Sequence, residues 1–191
     1  MVNPKHKLKD RKDDLYETHP CAVEALLKHQ ALLDPVWEPC AGRGAISKVL
    51  KDAGYTVLSQ DLVAYDNCLV DDILTGIDFL MEFRAPDGCK QIITNPPYKL
   101  ASHFIRKAID LQCISYWLLP AAFLQGNGRS DIIDQYLDHV WYGIERLPVM
   151  HRDGWDGPKN NSSMIPFAWF CFRHIPHDRT QGFTVRRISW R

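Results

Sequence analysis

The stretch Cys89–Phe104, CKQIITNPPYKLASHF, decides how the chain is read. Gln91-Ile92-Ile93-Thr94 has the pattern of a buried strand, and it runs directly into Asn95-Pro96-Pro97-Tyr98. Two adjacent prolines supply no backbone donors and fix φ near −65°, so the chain must leave the sheet there. An amphipathic helix is predicted next, over Ala101–Leu111, and then a fully apolar strand over Ile114–Pro120. Strand, rigid turn, helix and strand together make a βαβ unit, whose two strands lie parallel in one sheet.

The same alternation extends outward. Upstream, Ala22, Val23, Leu26, Leu27 and Ala31 recur at helical spacing between Pro20 and Leu33, with Thr18 placed to cap the start. Asp34-Pro35 breaks that helix, and a short strand from Val36 ends at Glu38-Pro39-Cys40. A helix over Ala45–Ala53, closed by Gly54, leads to a strand from Tyr55 to Asp61. A third short strand is expected near Cys68–Val70, followed by Asp78-Phe79-Leu80. Downstream come a helix over Ile132–Leu137, a strand over Val140–Ile144, and a last clear strand over Phe167–Phe172. The expectation is an α/β fold with a mostly parallel sheet and helices on both faces. Ligands in such sheets sit outside the carboxyl ends of the strands, and there stand Glu38, Asp61, Asp78 and Asn95.

With 191 residues, 46% of them hydrophobic and 24% charged, the chain has the composition of a soluble globular protein. One domain is expected over 15–191, after a flexible basic arm at 1–14. Lys and Arg total 23, as do Asp and Glu, so nucleic-acid binding would need a local patch. Lys5, Lys7, Lys9, Arg11 and Lys12 offer one; the alternative is a solvated arm. Six widely separated cysteines without a CxxC pair point away from a zinc ribbon or a redox dithiol. Reduced thiols in a cytoplasmic protein are expected, with no metal. No apolar run approaches the roughly 20 residues of a membrane span, and the N-terminus lacks the apolar core of a secretory signal.

Gly42 and Gly44 lie between a strand and a helix, where backbone approaches a ligand closely. Against the dinucleotide pattern G-x-G-x-x-G the third position is Ser47, a weak match that also suits an ordinary turn. Glu38, just before the turn, would repel a pyrophosphate. It suits a ligand with a cationic end, or a network that organises the loop. Asp61 stands where an acid can accept from both hydroxyls of a ribose, although a capping or solvated role is open to it. A nucleoside without phosphates but with a positive centre fits these features, and S-adenosylmethionine (SAM) is such a molecule.

The Asn-Pro-Pro-Tyr turn suits an amino group. The nitrogen of adenine N6 or of a glutamine amide is a poor nucleophile because its lone pair is delocalised. Two acceptors that pull both N–H bonds out of plane make it reactive. Asn95 supplies a carboxamide oxygen and Pro96 a backbone carbonyl, from a turn that Pro96 and Pro97 hold rigid. Tyr98 supplies a flat face for a planar group, which repays part of the cost of flipping a base out of a duplex.

At these residues the chain resembles amino-methyltransferases with the class I SAM-dependent (Rossmann-like) fold, similar to small phage-type gamma-order N6-adenine DNA methyltransferases. EPCAGRGAIS resembles the first motif of that family, SQDL the second, DFL the third and TNPPY the catalytic fourth. LYETHPCAVEALL resembles the segment that precedes the first motif. The resemblance runs roughly from Tyr16 to Leu124 and implies a seven-stranded sheet. It places Thr18 and Glu38, Pro39, Cys40, Ala41, Gly42 and Gly44 around the methionine end of SAM. It places Asp61 with Leu62 at the ribose, and Asp78 with Phe79 at the adenine. Asp71-Asp72 competes with Asp78 for that last role. The chain departs from the first motif at Pro39-Cys40-Ala41, where the family has a phenylalanine before a glycine.

Only about 90 residues follow Tyr98, so the substrate is expected to be read by short loops. His151, Arg152, Trp155 and Lys159 mix base-stacking and phosphate-binding side chains with glycines, and Arg129 belongs to a second such loop. A plain surface loop is the competing reading. The leading expectation is N6-adenine methylation of DNA. Neutral charge and the short remainder keep N5-glutamine methylation of a protein and adenine methylation of RNA in play. A non-catalytic SAM-binding subunit and a nicotinamide-dependent dehydrogenase fit the proline-locked turn less well.

Overall fold

The computed structural model describes residues 15–148, 162–178 and 182–191. The basic arm and the candidate substrate residues His151, Arg152, Trp155 and Lys159 lie outside the described residues.

Helix α1 (Pro20–His29) leads to β1 (Val36–Glu38), α2 (Ala45–Asp52) and β2 (Val57–Asp61). Strand β3 (Leu74–Thr75) and a single 3₁₀ turn (Phe79–Met81) precede β4 (Gln91–Thr94) and α3 (Ala101–Asp110). Then follow β5 (Ile114–Pro120), two further 3₁₀ segments (Ala121–Leu124 and Asn127–Arg129), α4 (Ser130–Tyr136), β6 (Leu137–Gly143), β7 (Phe167–Phe172) and β8 (Thr184–Ile188). Among the described residues the strands form one eight-stranded sheet in the order β3-β2-β1-β4-β5-β7-β6-β8. The run from β3 to β5 is parallel; β7 inserts antiparallel between β5 and β6, and β8 lies parallel to β6.

Alternating side chains on the central strands enter two separate cores. Tyr116 and Leu118 of β5 pack with Val23, Leu26, Ile46 and Leu50 of α1 and α2. Trp117 and Leu119 face the other way, onto Phe104, Ile105 and Ala108 of α3 and Ile132 and Ile133 of α4. Every residue of β1, β4 and β7 is buried, as expected of strands covered on both faces.

Four expectations are corrected. The sheet has eight strands because Thr184–Ile188 adds an edge whose first four residues are exposed; its arginines and lack of a buried run hid it. The third strand is at Leu74–Thr75, and Cys68–Val70 is irregular. Helix α1 stops at His29, and its cap is His19, whose Nδ1 accepts from the Cys21 N–H at 3.3 Å; Thr18 is not the cap. Strand β6 follows α4 without a loop, so it begins at Leu137 and not at Val140.

The strand order reverses between β1 and β4, which leave in opposite directions across the sheet. A crevice opens at their carboxyl ends, as it does in doubly wound sheets generally.

Candidate functional site

A cavity of about 680 Å³ fills that crevice, a size that suits a small-molecule ligand. Its walls include Glu38, Pro39, Cys40, Ala41 and Gly42 at the end of β1, Asp61 and Leu62 at the end of β2, and Asp78 and Phe79 at the start of the 3₁₀ turn. Asn95 and Pro97 close it after β4, and Thr18 closes it from before α1. Residues far apart in sequence thus meet in one space. Gly44, Pro96 and Tyr98 are not part of the lining.

The glycine turn is set by geometry that only glycine adopts cheaply. Gly42 has φ +56° and Gly44 φ +86°. A Cβ on Gly42 would lie 2.5 Å from Leu15 Cδ1, and one on Gly44 2.5 Å from Val70 Cγ2. The turn is also tied to β2. The Gly42 N–H donates to Asp61 Oδ2 at 2.7 Å, and the Val63 N–H donates to Asp61 Oδ1 at 2.9 Å. Asp61 therefore organises both loops at the carboxyl ends of β1 and β2 while lining the cavity. Burial raises its pKa above the ordinary carboxylate range, against the pull of those backbone donors.

Glu38 is 1% exposed and lies deeper. Ser47 Oγ donates to Glu38 Oε2 and sits 2.6 Å from Ser59 Oγ. Desolvation pushes the Glu38 carboxyl up to about 8; the Ser47 hydrogen bond opposes this and the nearby Asp61 adds to it. A wholly buried carboxyl of this kind is held as the neutral acid at pH 7 unless a cation meets it.

Asp78 Oδ1 caps the 3₁₀ turn, accepting from the Leu80 N–H at 2.9 Å. Of the rival acids it alone lines the cavity. Asp71 and Asp72 are exposed, and Asp72 pairs with Lys51 on the outer surface.

A four-residue strap, Leu15–Thr18, crosses the crevice, and sequence reasoning singled out only Thr18 in it. Leu15 rests against Gly42. The Tyr16 carbonyl accepts from Asn95 Nδ2 at 3.0 Å. Glu17 pairs with Arg43 at 3.0 Å in a largely buried salt bridge, and Arg43 also donates twice to the Asn67 carbonyl. Thr18 is 4% exposed. Arg43 so joins the strap, the glycine turn and the loop after β2.

Tyr98 stands between two rings. Its centroid is 5.9 Å from that of Tyr16, with planes 8° apart, and 6.0 Å from that of Phe167. The face expected for a planar substrate is thus already faced by a second tyrosine. Arg129 is used internally: its guanidinium lies 4.4 Å over the Phe123 ring and donates to the Phe123 carbonyl at 3.0 Å, outside the cavity lining.

Among the described residues no helix is long and apolar enough to cross a membrane. All six cysteines are free thiols.

No family model and no curated protein matches the sequence. Solved structures do match the fold. A modification subunit assigned to a type I restriction enzyme from Vibrio vulnificus YJ016 superposes with a TM-score of 0.58 at 12% identity. That match covers 94% of this chain and 48% of the subunit. An RNA methyltransferase assigned in Pyrococcus horikoshii gives 0.55 at 15% identity, over 82% of this chain and 81% of that one. The tRNA (m1A58) methyltransferase TrmI of Aquifex aeolicus gives 0.53 at 15% identity, over 86% and 72%. The likeness is one of fold, and the α/β, Rossmann-like architecture of class I methyltransferases is the fold of this chain.

Proposed function

We propose that the protein is a SAM-dependent methyltransferase acting on an amino nitrogen, with N6 of adenine in DNA as the leading substrate. The observation that carries this reading is the convergence of Asn95 and Pro97 of the Asn-Pro-Pro-Tyr turn, Gly42 of the glycine turn and the acids Glu38, Asp61 and Asp78 on one crevice. A sheet of this order binds its ligand there. The neighbours from Vibrio vulnificus and Aquifex aeolicus, by their names a restriction-modification subunit and a tRNA methyltransferase, are consistent with a nucleic-acid substrate.

The cavity fits SAM in its parts. Gly42 turns the main chain along the cavity wall at a positive φ, with Leu15 packed against it. Asp61 takes the ribose hydroxyls, with Leu62 beside it. Asp78 and Phe79 take the adenine. Thr18 and the turn from Glu38 to Gly44 surround the methionine end, where buried Glu38 faces its positive charge. When bound, SAM supplies a methyl group activated as a sulfonium. The chain orients and activates the amine. Asn95 Oδ1 and the Pro96 carbonyl accept its two N–H bonds and localise the lone pair on nitrogen. The same acceptors stabilise the positive charge that develops there until the proton passes to solvent.

The test is to incubate the protein with methyl-labelled SAM and separate pools of DNA, RNA and protein. Label in DNA recovered as N6-methyladenine is expected. Label only in RNA or at glutamine would move the substrate, and SAM binding without transfer to any pool would leave a non-catalytic subunit.

A further inference from the structure

We propose that Tyr16 is the movable wall of an aromatic slot whose fixed wall is Tyr98, and that this slot selects a nucleobase over a glutamine amide. The inference rests on the amino-methyltransferase reading and names the substrate class of that same site. The two rings are nearly parallel, 8° apart in plane, with centroids 5.9 Å apart. A planar group held between them makes two carbon contacts of about 3.5 Å, which needs about 7 Å between the outer rings. Parallel rings are spaced no farther apart than their centroids, so the gap must widen by at least about 1 Å.

The structure says which side moves. Tyr98 cannot retreat: Phe167 backs its ring and is 4% exposed, and two prolines fix the main chain before it. Tyr16 is 42% exposed, so its ring can swing outward by rotation about its side-chain bonds. Its main chain stays in place, because the flanking residues are anchored by the Leu15 contact with Gly42 and the Glu17 pair with Arg43.

That anchored main chain does a second job. A carbonyl oxygen only accepts, so the Tyr16 carbonyl fixes Nδ2 of Asn95 toward the strap and turns Oδ1 the other way. Tyr16 is thus a positioning residue through its carbonyl and a wall through its ring. A purine has a π-face on each side and gains from both rings, whereas a primary amide fills little of such a slot. The slot therefore favours adenine over glutamine.

The probe is a single-stranded DNA oligonucleotide carrying 2-aminopurine, whose fluorescence is quenched on stacking, titrated without SAM and then with it. SAM affinity is measured separately by calorimetry. Wild type and Tyr16→Phe should quench and bind alike. Tyr16→Leu should bind the oligonucleotide about tenfold more weakly, the scale of one lost base–aromatic stack, with SAM affinity within about twofold of wild type. Tighter oligonucleotide binding by Tyr16→Leu would show that the ring is a plug, and equal binding would show that it is not a wall. An equal loss of SAM affinity would reduce Tyr16 to part of the cofactor strap. Displacement of the oligonucleotide by a glutamine peptide at comparable concentration would also overturn the selection. If the wild type binds no SAM, the methyltransferase reading falls, while the quenching experiment still decides the slot.

Discussion

Asn95 shows how much one side chain is asked to do. Its Nδ2 donates to the Tyr16 carbonyl, so the orientation of the carboxamide is set by the protein before any amine arrives. Asn95→Ala removes the acceptor and should slow single-turnover methyl transfer by about 100- to 1,000-fold, the usual effect of deleting one preorganised polar contact. SAM affinity, measured beside it by calorimetry, should hold within about threefold. Asn95→Asp is no gentle substitute here. A carboxylate has no proton to give the Tyr16 carbonyl, so it faces an acceptor with an acceptor and should lose rate on a similar scale. Full-rate transfer by Asn95→Ala would reduce the Asn-Pro-Pro-Tyr run to a turn. Asp61 carries the complementary load on the cofactor side. It accepts from the Gly42 and Val63 N–H groups, so Asp61→Ala loses both the ribose acceptor and the tie between two loops. Charge-assisted bonds are worth about 1.5–3 kcal/mol, and SAM affinity should fall by at least about tenfold. Unchanged affinity in a calorimetric titration would take Asp61 out of the site.

At the scale of elements, the turn between β1 and α2 is where local conformation and site geometry depend on each other. Gly44 caps α2 with φ +86°, and the loop after β2 is folded against it through Val70. Gly44→Ala sets a strained φ against a methyl group that has to move, at a cost of about 1–3 kcal/mol. For a chain of this size that corresponds to a fall in Tm of about 2–4 °C per kcal/mol, read by thermal unfolding. Displacing Val70 also disturbs the loop after β2, whose Leu69 N–H donates to the Arg43 carbonyl of the glycine turn, so SAM affinity should fall as well, and an unchanged Tm would show that the turn relaxes freely. This turn was legible in the sequence, as were β4, β5 and β7, whose places follow from the apolar segments Ile92-Ile93, Tyr116-Trp117-Leu118-Leu119 and Phe167–Phe172 flanked by proline or polar residues. The acids at strand ends were legible for the same reason. The elements that escaped lack such a signal. Strand β3 is two exposed residues, and β8 carries two adjacent arginines and a single buried isoleucine. The strap has no period at all: Tyr16 meets Tyr98 and Glu17 meets Arg43 only because the fold brings distant segments together. The contact of Arg129 with Phe123 is likewise invisible to composition.

Over the whole molecule, the buried Glu38 links pH to both stability and binding. Burial raises its pKa from 4.5 to about 8, so between those values the folded chain holds a proton that the unfolded chain has released. Wherever the native state binds more protons, stability falls as pH rises. The contribution is fully present below about pH 4.5 and is lost progressively as pH climbs through 8, at up to about 1.4 kcal/mol per pH unit. Other groups titrate in the same range, so the measure is the difference from Glu38→Gln, which keeps the shape and removes the proton. The stability advantage of wild type over the variant should shrink steadily from pH 5 to pH 8 in urea unfolding. A difference that stays constant would mean that Glu38 is already ionised when folded. Binding should run the opposite way. A ligand whose cationic end meets Glu38 favours the carboxylate, so SAM binding at pH 7 should expel a proton and tighten with pH by up to about tenfold per unit until about pH 8. Calorimetry in two buffers of different ionisation enthalpy counts that proton directly. One proton released by wild type and none by Glu38→Gln would place the positive end of SAM beside Glu38. Equal enthalpies in both buffers for wild type would place it elsewhere and leave Glu38 as the organiser of Ser47 and Ser59.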